Sequence, residues 1–348
     1  MLKMTKFFAI AVLVGFMASC SQPMEKAENN NPQKYQLYAD VLWASPDAFE
    51  LAMDIYVPNS ELPSLPVLVM FHGGGWLIND KSIMDQAAAY LATNSKYVIC
   101  NVDYRLLSDR DNTVTLNQIV EDVFGAVLWV KENIDQYQGD PARVAVTGDS
   151  AGAHLSAMIV NSGDQLSAKA FSPESVRFNP SYVPEGETPE TIAEKKGLTV
   201  QAAILSYGAF DVYQSARDGF EGIANPFWLF SGSLPRGVFG KDYDITKHPE
   251  MYKAVSPAFN VPSAPTRKLP PQLLTAGSKD ILVTPQSVKA YAQQLSSAGH
   301  QVQYWEYEGK SHAFLDSGSN VILGSSFEAD APIALDRMIA FLDEVFEE

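Results

Sequence analysis

Two glycine-rich segments could together supply a nucleophile and the hydrogen-bond donors that an oxyanion needs. His72–Trp76 (HGGGW) directly follows the apolar run Val67–Phe71, and Gly148–Gly152 (GDSAG) directly follows the run Arg143–Thr147. A G-x-S-x-G turn between a strand and a helix exposes its serine hydroxyl above a sheet, and a glycine-rich loop leaves backbone N–H groups free to bind an oxyanion. The two segments therefore predict acyl transfer, with Ser150 as the nucleophile.

A base and an acid for this serine are found near the carboxyl terminus. A serine hydroxyl is a weak nucleophile at neutral pH, so it needs a base and a second group that orients the base. His312 lies in a loop directly after the last predicted strand, and Asp280 lies in the loop after the preceding strand. The chain order Ser150, Asp280, His312 is the one that a nucleophile-elbow triad requires. We predict that these three residues are catalytic.

Other titratable residues near these motifs have structural interpretations. His154 lies one helical turn after Ser150 and below the rim of the sheet, so we expect it to be packed in the interior. We expect His72 to brace the glycine loop by hydrogen bonding rather than to titrate. Asp211 follows another predicted strand and remains the alternative acid. Asp149 precedes the serine and is expected to point away from the pocket.

The sequence also contains one motif that resembles a phosphate-binding loop without matching it. Gly75 followed by Asp80-Lys81-Ser82 approaches the P-loop pattern, but Asp80 would place a carboxylate where phosphate should bind. No Cys, His, Asp and Glu residues have the spacing of metal ligands. We therefore predict no cofactor and no metal site.

The amino-terminal residues predict export of the chain. Two early lysines precede the apolar stretch Phe7–Phe16, which is too short to span a bilayer, and Ala18-Ser19-Cys20 resembles a bacterial lipoprotein processing site. We predict a signal peptide over residues 1–19 and a flexible tether over residues 20–34, with a lipid attached at Cys20. The expected location is the bacterial cell envelope, as a lipoprotein facing the periplasm or the exterior. An ordinary secretory signal is the alternative.

The net charge argues against several classes of binding partner, and the cysteine content argues against an internal disulfide. The 348-residue chain has a formal net charge of −16, which argues against nucleic-acid binding because that function needs basic patches. The charge also disfavours capture by anionic lipid, so the predicted membrane association is through the lipid anchor alone. Besides Cys20, the sequence contains only Cys100, so no internal disulfide is expected.

Strand and helix patterns alternate along residues 35–348, which predicts an α/β catalytic domain. Repeated strand–helix units predict a mostly parallel sheet of about eight strands with helices on both faces. Leu51–Val57 alternates like a half-exposed edge strand. Insertions at about 161–196 and 211–268 interrupt the alternation and are expected to form a small cap. The predicted buried strands are Val67–Phe71, Tyr97–Val102, Arg143–Thr147, Ala202–Ser206, Gln272–Ala276 and Val302–Tyr307.

The motifs resemble those of the α/β-hydrolase superfamily, in the branch related to hormone-sensitive lipase and bacterial carboxylesterases. The chain is still more similar to a bacterial subgroup that includes feruloyl and acetyl esterases acting on plant polysaccharide. The resemblance implies that Gly73, Gly74 and the N–H of Ala151 form the oxyanion hole. It also implies that Tyr104 and Arg105 brace the site. The matching segments are HGGGW, VDYRL at Val102–Leu106, GDSAGAHL at Gly148–Leu155, the Asp280 loop and SHAF at Ser311–Phe314.

The predicted activity is hydrolysis of a carboxylic ester through an acyl-enzyme. Trp76, Tyr207 and Phe210 are expected to line the substrate pocket, where aromatic faces would contact a sugar ring or an aryl acyl group. The predicted substrate is a small-molecule or glycan ester, with removal of short acyl or feruloyl groups from carbohydrate. A general short-chain carboxylesterase or lipase is the first alternative. A peptidase of the same fold and a non-catalytic binding module are the others.

Overall fold

A computed structural model of the protein describes residues 34–347, which contain an eight-stranded sheet flanked by helices. The strand order is β1-β2-β4-β3-β5-β6-β7-β8. Strand β2 runs antiparallel to both of its neighbours, β1 and β4. The remaining pairs join β4, β3, β5, β6, β7 and β8, which all run parallel to one another. This confirms the predicted fold class. The strands are β1 (Tyr35–Ala44), β2 (Leu51–Pro58), β3 (Leu65–Phe71), β4 (Val98–Val102), β5 (Gly139–Asp149), β6 (Ala202–Ser206), β7 (Gln272–Gly277), β8 (Val302–Tyr307), β9 (Ser319–Asn320) and β10 (Ser325–Ser326), the last two forming a separate hairpin.

Helices cover both faces of the sheet. The α-helices are α1 (Asp85–Asn94), α2 (Asp109–Asn112), α3 (Leu116–Asn133), α4 (Ala151–Ser162), α5 (Pro189–Glu194), α6 (Val212–Arg217), α7 (Pro226–Phe230), α8 (Pro249–Ala254), α9 (Pro285–Ser297) and α10 (Phe327–Glu347). Helices α3, α4 and α9 pack on one face, whereas α1 and α10 pack on the other. Short 3-10 helices occur at Pro46–Ala48, Lys81–Met84, Ile134–Tyr137 and Pro257–Phe259.

The central strands read as continuous apolar runs because both of their faces are buried. In β3, Val67, Val69 and Phe71 enter the core under α3 and α4, whereas Leu68 and Met70 enter the core under α1 and α10. Successive strand residues point to opposite faces, so a strand covered on both sides needs apolar side chains at every position. This arrangement places the carboxyl ends of β3, β5, β7 and β8 at one edge of the sheet.

The edge strand differs from the one predicted. Leu51–Val57 was expected to lie at the edge, but β2 is paired on both sides and is almost entirely buried. Val302–Tyr307, predicted to be a buried strand, also lies at an edge as β8, and only its Tyr307 is buried. The opposite edge is β1, in which only Trp43 is buried. Its pairing with β2 is interrupted by two irregularities, and Asp40 has a φ of 52°. The mixed exposure and the broken register hide the two-residue alternation that identifies a strand in a sequence.

The two insertions pack at different places. Residues 161–196 lie against α3, where Ser181 donates a backbone hydrogen bond to the carbonyl of Glu121 at 3.0 Å. Residues 211–268 contain α6, α7 and α8 and reach the carboxyl edge of the sheet. Among residues 34–347, no helix is both long enough and apolar enough to cross a membrane. The predicted signal peptide and the lipid attachment at Cys20 lie outside the described residues.

Candidate active site

Ser150 occupies a strained turn between β5 and α4. Its backbone φ and ψ are 49° and −113°, a conformation rarely adopted by a residue with a side chain. The turn is tight because α4 starts immediately at Ala151. A Cβ on Gly152 would lie 1.9 Å from the carbonyl oxygen of Phe71, so only glycine allows α4 to approach β3 this closely. The local geometry therefore presents the Ser150 hydroxyl at the carboxyl edge of the sheet.

The structure brings Ser150, His312 and Asp280 into one hydrogen-bonded chain. Nε2 of His312 lies 2.9 Å from Oγ of Ser150, and Nδ1 lies 2.6 Å from Oδ2 of Asp280. A carboxylate oxygen accepts, so Nδ1 carries the imidazole proton and Nε2 is free to accept the serine proton. All three residues are buried, at 8%, 6% and 4% exposure respectively. The arrangement matches a nucleophile, a base and an orienting acid.

Backbone N–H groups fix the carboxylate of Asp280 in place. Its Oδ1 accepts hydrogen bonds from the N–H groups of Leu282 and Val283, each at 2.9 Å. The remaining oxygen, Oδ2, is left to the imidazole. The ring of Tyr207 contacts the His312 ring edge to face, with their centroids 4.8 Å apart. These contacts hold the imidazole in one orientation toward the serine.

His72 and His154 are structural residues: Nδ1 of His72 and both ring nitrogens of His154 are already hydrogen-bonded. Nδ1 of His72 donates to the carbonyl of Gly73 at 2.7 Å, and Nε2 of His154 donates to the carbonyl of Val255 at 2.7 Å. The Trp76 indole donates to Nδ1 of His154 at 3.1 Å. Burial lowers the pKa of each of the two histidines to about 4, so both are neutral at physiological pH. Neither ring is positioned to deprotonate the serine.

The residues that can donate to an oxyanion are one position further along the chain than predicted. Gly75 and Ala151 line the same cavity as Ser150 and His312, whereas Gly73 and Gly74 do not. The N–H groups of Gly74, Gly75 and Ala151 have no hydrogen-bond acceptor among residues 34–347. The N–H of Gly73 instead faces the buried carboxylate of Asp149. The structure therefore places Gly73 behind the site, and Gly75 takes the place predicted for it.

A cavity of about 420 Å³ opens directly onto the hydroxyl of Ser150. Trp76 lines it, as predicted. Tyr207 and Phe210 do not, because Tyr207 is turned into the interior beneath His312 and Phe210 stacks on Tyr291 with ring centroids 4.2 Å apart. The remaining lining residues come from the loops and helices that follow β3, β5, β6 and β7: Gly75, Ala151, Ala209, Ser215, Asp218, Gly219, Phe220, Ala224, Asn225, Pro226, Phe227, Leu282 and Val283.

The cavity walls contain two aromatic side chains that the sequence did not single out correctly. Phe220 contacts Trp76 edge to face, with ring centroids 5.3 Å apart, and was not predicted. Phe227 also lines the cavity, next to Gly75. The only available signal was their position in the aromatic insertion at 211–268. The alternative acid, Asp211, caps α6 by accepting from the N–H of Gln214 at 2.8 Å.

Tyr104 and Arg105 connect the oxyanion loop to α3. The Tyr104 hydroxyl donates to the carbonyl of His72 at 2.6 Å, and the two rings stack with centroids 4.3 Å apart. The Arg105 guanidinium pairs with Asp122 through contacts of 2.6 and 2.8 Å. Both partners of this ion pair are buried. Within the described residues, no three His, Cys, Asp or Glu side chains are grouped so that they could hold a metal ion.

Comparison with known proteins identifies similar esterases. A family model described as BD-FAE matches residues 53–295. The chain is 28% identical over 251 residues to Esterase LipC and 30% identical over 250 residues to Esterase LipQ, both of Mycobacterium tuberculosis. Each match covers 72% of this chain, and the shares of the two relatives are 53% and 50%. The chain thus spans about half the length of these curated relatives.

Solved structures of Thermogutta terrifontis esterase 2 show the same fold. Its butyrate-bound form superposes with a TM-score of 0.61 at 21% sequence identity, covering 90% of this chain and 94% of that one. The form phosphonylated by sarin gives a TM-score of 0.62 at 21% identity, with coverages of 89% and 95%.

Proposed function

The chain belongs to the BD-FAE family, and from this premise we propose that it is a serine carboxylic ester hydrolase. The observation that carries the proposal is the hydrogen-bonded chain from Ser150 through His312 to Asp280, at 2.9 and 2.6 Å, beside an open cavity. The similar esterases from Mycobacterium tuberculosis support the same activity. A non-catalytic binding module has no need for such a constellation, so we favour an enzyme.

Acylation begins with proton transfer from the serine to the base. His312 accepts the hydroxyl proton at Nε2 while Oγ of Ser150 attacks the ester carbonyl carbon. Asp280 holds the proton at Nδ1 and stabilises the imidazolium that forms. Collapse of the tetrahedral intermediate breaks the bond to the alcohol, which leaves with the proton from Nε2. The acyl group remains bonded to Ser150.

Free backbone N–H groups stabilise the oxyanion in this mechanism. Gly75 and Ala151 line the cavity and supply two donors, and the unpaired N–H of Gly74 supplies a third at the same loop. Loss of one such donor typically raises the barrier by about 3–4 kcal/mol. Water then attacks the acyl-enzyme with His312 as base, which releases the carboxylic acid and restores the serine hydroxyl.

For the substrate we propose short acyl or feruloyl esters of carbohydrate. Trp76, Phe220 and Phe227 give the cavity faces on which an aryl acyl group or a sugar ring can stack. The polar side chains Ser215 and Asp218 lie on the same walls and can accept hydrogen bonds from hydroxyl groups. A general short-chain carboxylesterase is the second candidate, supported by the butyrate-bound form of the similar Thermogutta esterase.

Release assays distinguish these two substrate classes. The purified protein and its Ser150→Ala variant are incubated with acetylated and feruloylated plant glycans and with p-nitrophenyl esters of increasing acyl length. The proposal predicts Ser150-dependent release of acetate or ferulate from the glycans. Turnover of p-nitrophenyl acetate without any release from glycans would reject the carbohydrate substrate in favour of the general carboxylesterase. No turnover of any ester would reject the proposed function itself.

We further propose that the mature protein is held at the bacterial envelope by a lipid on Cys20. The support is the small-residue pattern Ala18-Ser19-Cys20 after a short apolar stretch. Metabolic labelling with a fatty-acid probe should mark the wild-type chain and not a Cys20→Ala variant. A secreted, unlabelled wild-type chain would favour the ordinary secretory signal instead.

A further inference from the structure

His154 lies where three parts of the protein meet, and it takes no part in the proton transfers of the mechanism. It is fully buried in the first turn of α4 and does not line the cavity. Its backbone N–H donates to the carbonyl of Ser150 at 3.2 Å, which fixes it relative to the nucleophile. Its ring joins the indole of Trp76, the last residue of the oxyanion loop His72–Trp76, to the carbonyl of Val255, directly after α8.

The two partners of the ring fix which nitrogen of His154 carries the proton. The carbonyl of Val255 can only accept, so Nε2, which lies 2.7 Å away, is the N–H donor. The other nitrogen, Nδ1, therefore has a free lone pair, and it accepts from the indole N–H of Trp76 at 3.1 Å. An indole N–H can only donate, so the neutral imidazole gives Trp76 the acceptor that it needs. The two rings also meet edge to face, with centroids 5.0 Å apart.

Trp76 has a backbone conformation that its contacts must hold in place. Its φ is 61°, a left-handed value that is an outlier for a bulky residue and persists only where the surroundings enforce it. Its carbonyl accepts from the N–H of Leu107 at 2.7 Å, and its ring contacts Phe220 with centroids 5.3 Å apart. The hydrogen bond to His154 fixes the indole nitrogen. Without that acceptor, the buried N–H would be left unpaired unless the ring turned toward the cavity.

The position of Trp76 matters because it directly follows Gly75, whose N–H is one of the oxyanion donors. We propose that His154 is a positioning residue, which fixes the oxyanion loop relative to the nucleophile by holding Trp76. The inference rests on the proposed function, because it takes Gly75 and Ala151 as oxyanion donors. These two donors come from different segments, the loop after β3 and the first residue of α4, and His154 joins the two segments. A loop released from His154 would no longer present both N–H groups to one oxyanion, although substrate could still bind.

Substitutions on both sides of the hydrogen bond test this role in the full chain. His154→Leu removes both bonds of the ring, and Trp76→Phe removes the indole donor but keeps an aromatic side chain. Each should lower kcat for p-nitrophenyl acetate by roughly ten- to a hundredfold and change KM by less than about threefold, because the misplaced donors act in the transition state. The double variant should lose no more than the weaker single variant, since both substitutions act through one hydrogen bond.

Two polar substitutions separate the two hydrogen bonds of the ring. His154→Asn places an accepting oxygen near the position of Nδ1 and loses the donor to Val255. His154→Gln places a donor near the position of Nε2 and no acceptor near Nδ1. The proposal predicts that His154→Asn recovers most of the kcat that His154→Leu loses and that His154→Gln does not, because the bond to Trp76 is the one that fixes the oxyanion loop.

His300 provides a matched control between α9 and β8, at the amino edge of the sheet. It is also buried, its Nδ1 accepts from the N–H of Leu269 at 3.3 Å, and its Nε2 donates to the carbonyl of Pro262 at 2.7 Å. His300→Leu therefore removes an equivalent pair of buried hydrogen bonds away from Ser150. It should lower the melting temperature and leave kcat at the wild-type value.

Proton NMR of the indole N–H of Trp76 tests the contact without turnover. The signal, assigned by its loss in Trp76→Phe, should be protected from deuterium exchange in the wild type and in His154→Asn, and unprotected in His154→Leu. Unprotected exchange in the wild type would overturn the proposal.

The kinetic results can also overturn it. Additive losses in the double variant, equal kcat values in His154→Asn and His154→Leu, or as large a loss of kcat in His300→Leu would each do so. If His154→Leu does not fold, Trp76→Phe removes the same hydrogen bond from the other side, and a wild-type kcat in that variant overturns the proposal on its own. A wild-type protein without esterase activity would instead reject the proposed function, whereas any of these results in an active enzyme rejects the inference alone.

Discussion

Glu121 on α3 gives the protein a pH-dependent stability that one substitution should remove. Its side chain is 9% exposed, and Oε1 accepts hydrogen bonds from the N–H of Asn179 at 3.2 Å and from the amide of Asn117 at 3.4 Å. Burial raises the pKa of Glu121 to about 7, against an ordinary value of 4.5. The other oxygen, Oε2, gains no hydrogen bond within the described residues. The protonated carboxyl is therefore the form that the fold accommodates.

The sign and size of the effect follow from these two pKa values. Between pH 4.5 and about 7 the folded protein holds more protons at Glu121 than the unfolded chain does. The contribution of Glu121 to the free energy of unfolding therefore falls as the pH rises through this window, and this contribution does not recover above it. The difference between the two values corresponds to about 3 kcal/mol. Glutamine keeps the accepting oxygen and never ionises, so Glu121→Gln should not lose this stability.

Urea unfolding at pH 5 and pH 8 measures the effect. At pH 5 we expect wild type and Glu121→Gln to differ by less than about 1 kcal/mol, and at pH 8 we expect the variant to be more stable by about 2–3 kcal/mol. Glu61→Gln, at an exposed glutamate, is the control and should not alter the pH dependence. Equal stabilities of wild type and Glu121→Gln at both pH values would refute the assignment of this pH dependence to Glu121.

Three further substitutions test the packing and the chemistry. Asp122→Ala removes the buried carboxylate partner of Arg105 and leaves the guanidinium only the exposed carboxylate of Asp47 at 3.5 Å, so it should lower the free energy of unfolding by about 3–5 kcal/mol in urea titrations; a loss below about 1 kcal/mol would contradict this. Asp280→Asn should lower kcat by about three to four orders of magnitude while the circular dichroism spectrum is retained, and a loss of less than about tenfold would argue against its role. Gly152→Ala forces a methyl group to within 1.9 Å of a backbone carbonyl of β3 and should lower the melting temperature sharply or prevent folding, whereas an unchanged melting temperature would show that α4 can shift.

The buried strands could be predicted because burial on both faces leaves a direct mark in the sequence. Ala202–Ser206 has the predicted bounds, and the other central parallel strands differ by a few residues at their ends. Val302–Tyr307 also has the predicted bounds, but it is an edge strand in which only Tyr307 is buried. The edge strand could not be predicted in the same way. Tyr35–Ala44 is largely exposed and is irregularly paired, so its sequence carries neither a continuous apolar run nor a regular alternation.

The convergence of Ser150, Asp280 and His312 could be predicted from topology, because loops after parallel strands meet at one sheet edge. The oxyanion donors and the residues that line the pocket could be identified only from the three-dimensional structure. Which N–H of a glycine run faces the cavity depends on the individual backbone dihedrals, and a sequence does not specify them. The prediction that Tyr207 lines the pocket was wrong for the same reason. Tyr207 has a φ of 41°, a rare conformation that turns its ring under the imidazole rather than into the cavity.

The central claim is that Ser150 forms a covalent acyl-enzyme, and mass spectrometry of a trapped intermediate tests it most directly. The protein is mixed with p-nitrophenyl butyrate, quenched in acid within milliseconds and digested. We predict a butyryl group on the peptide that contains Ser150, together with a burst of p-nitrophenol, and neither signal in Ser150→Ala. An acyl group found on a different residue, or a Ser150→Ala variant that turns over the ester at the wild-type rate, would contradict the account.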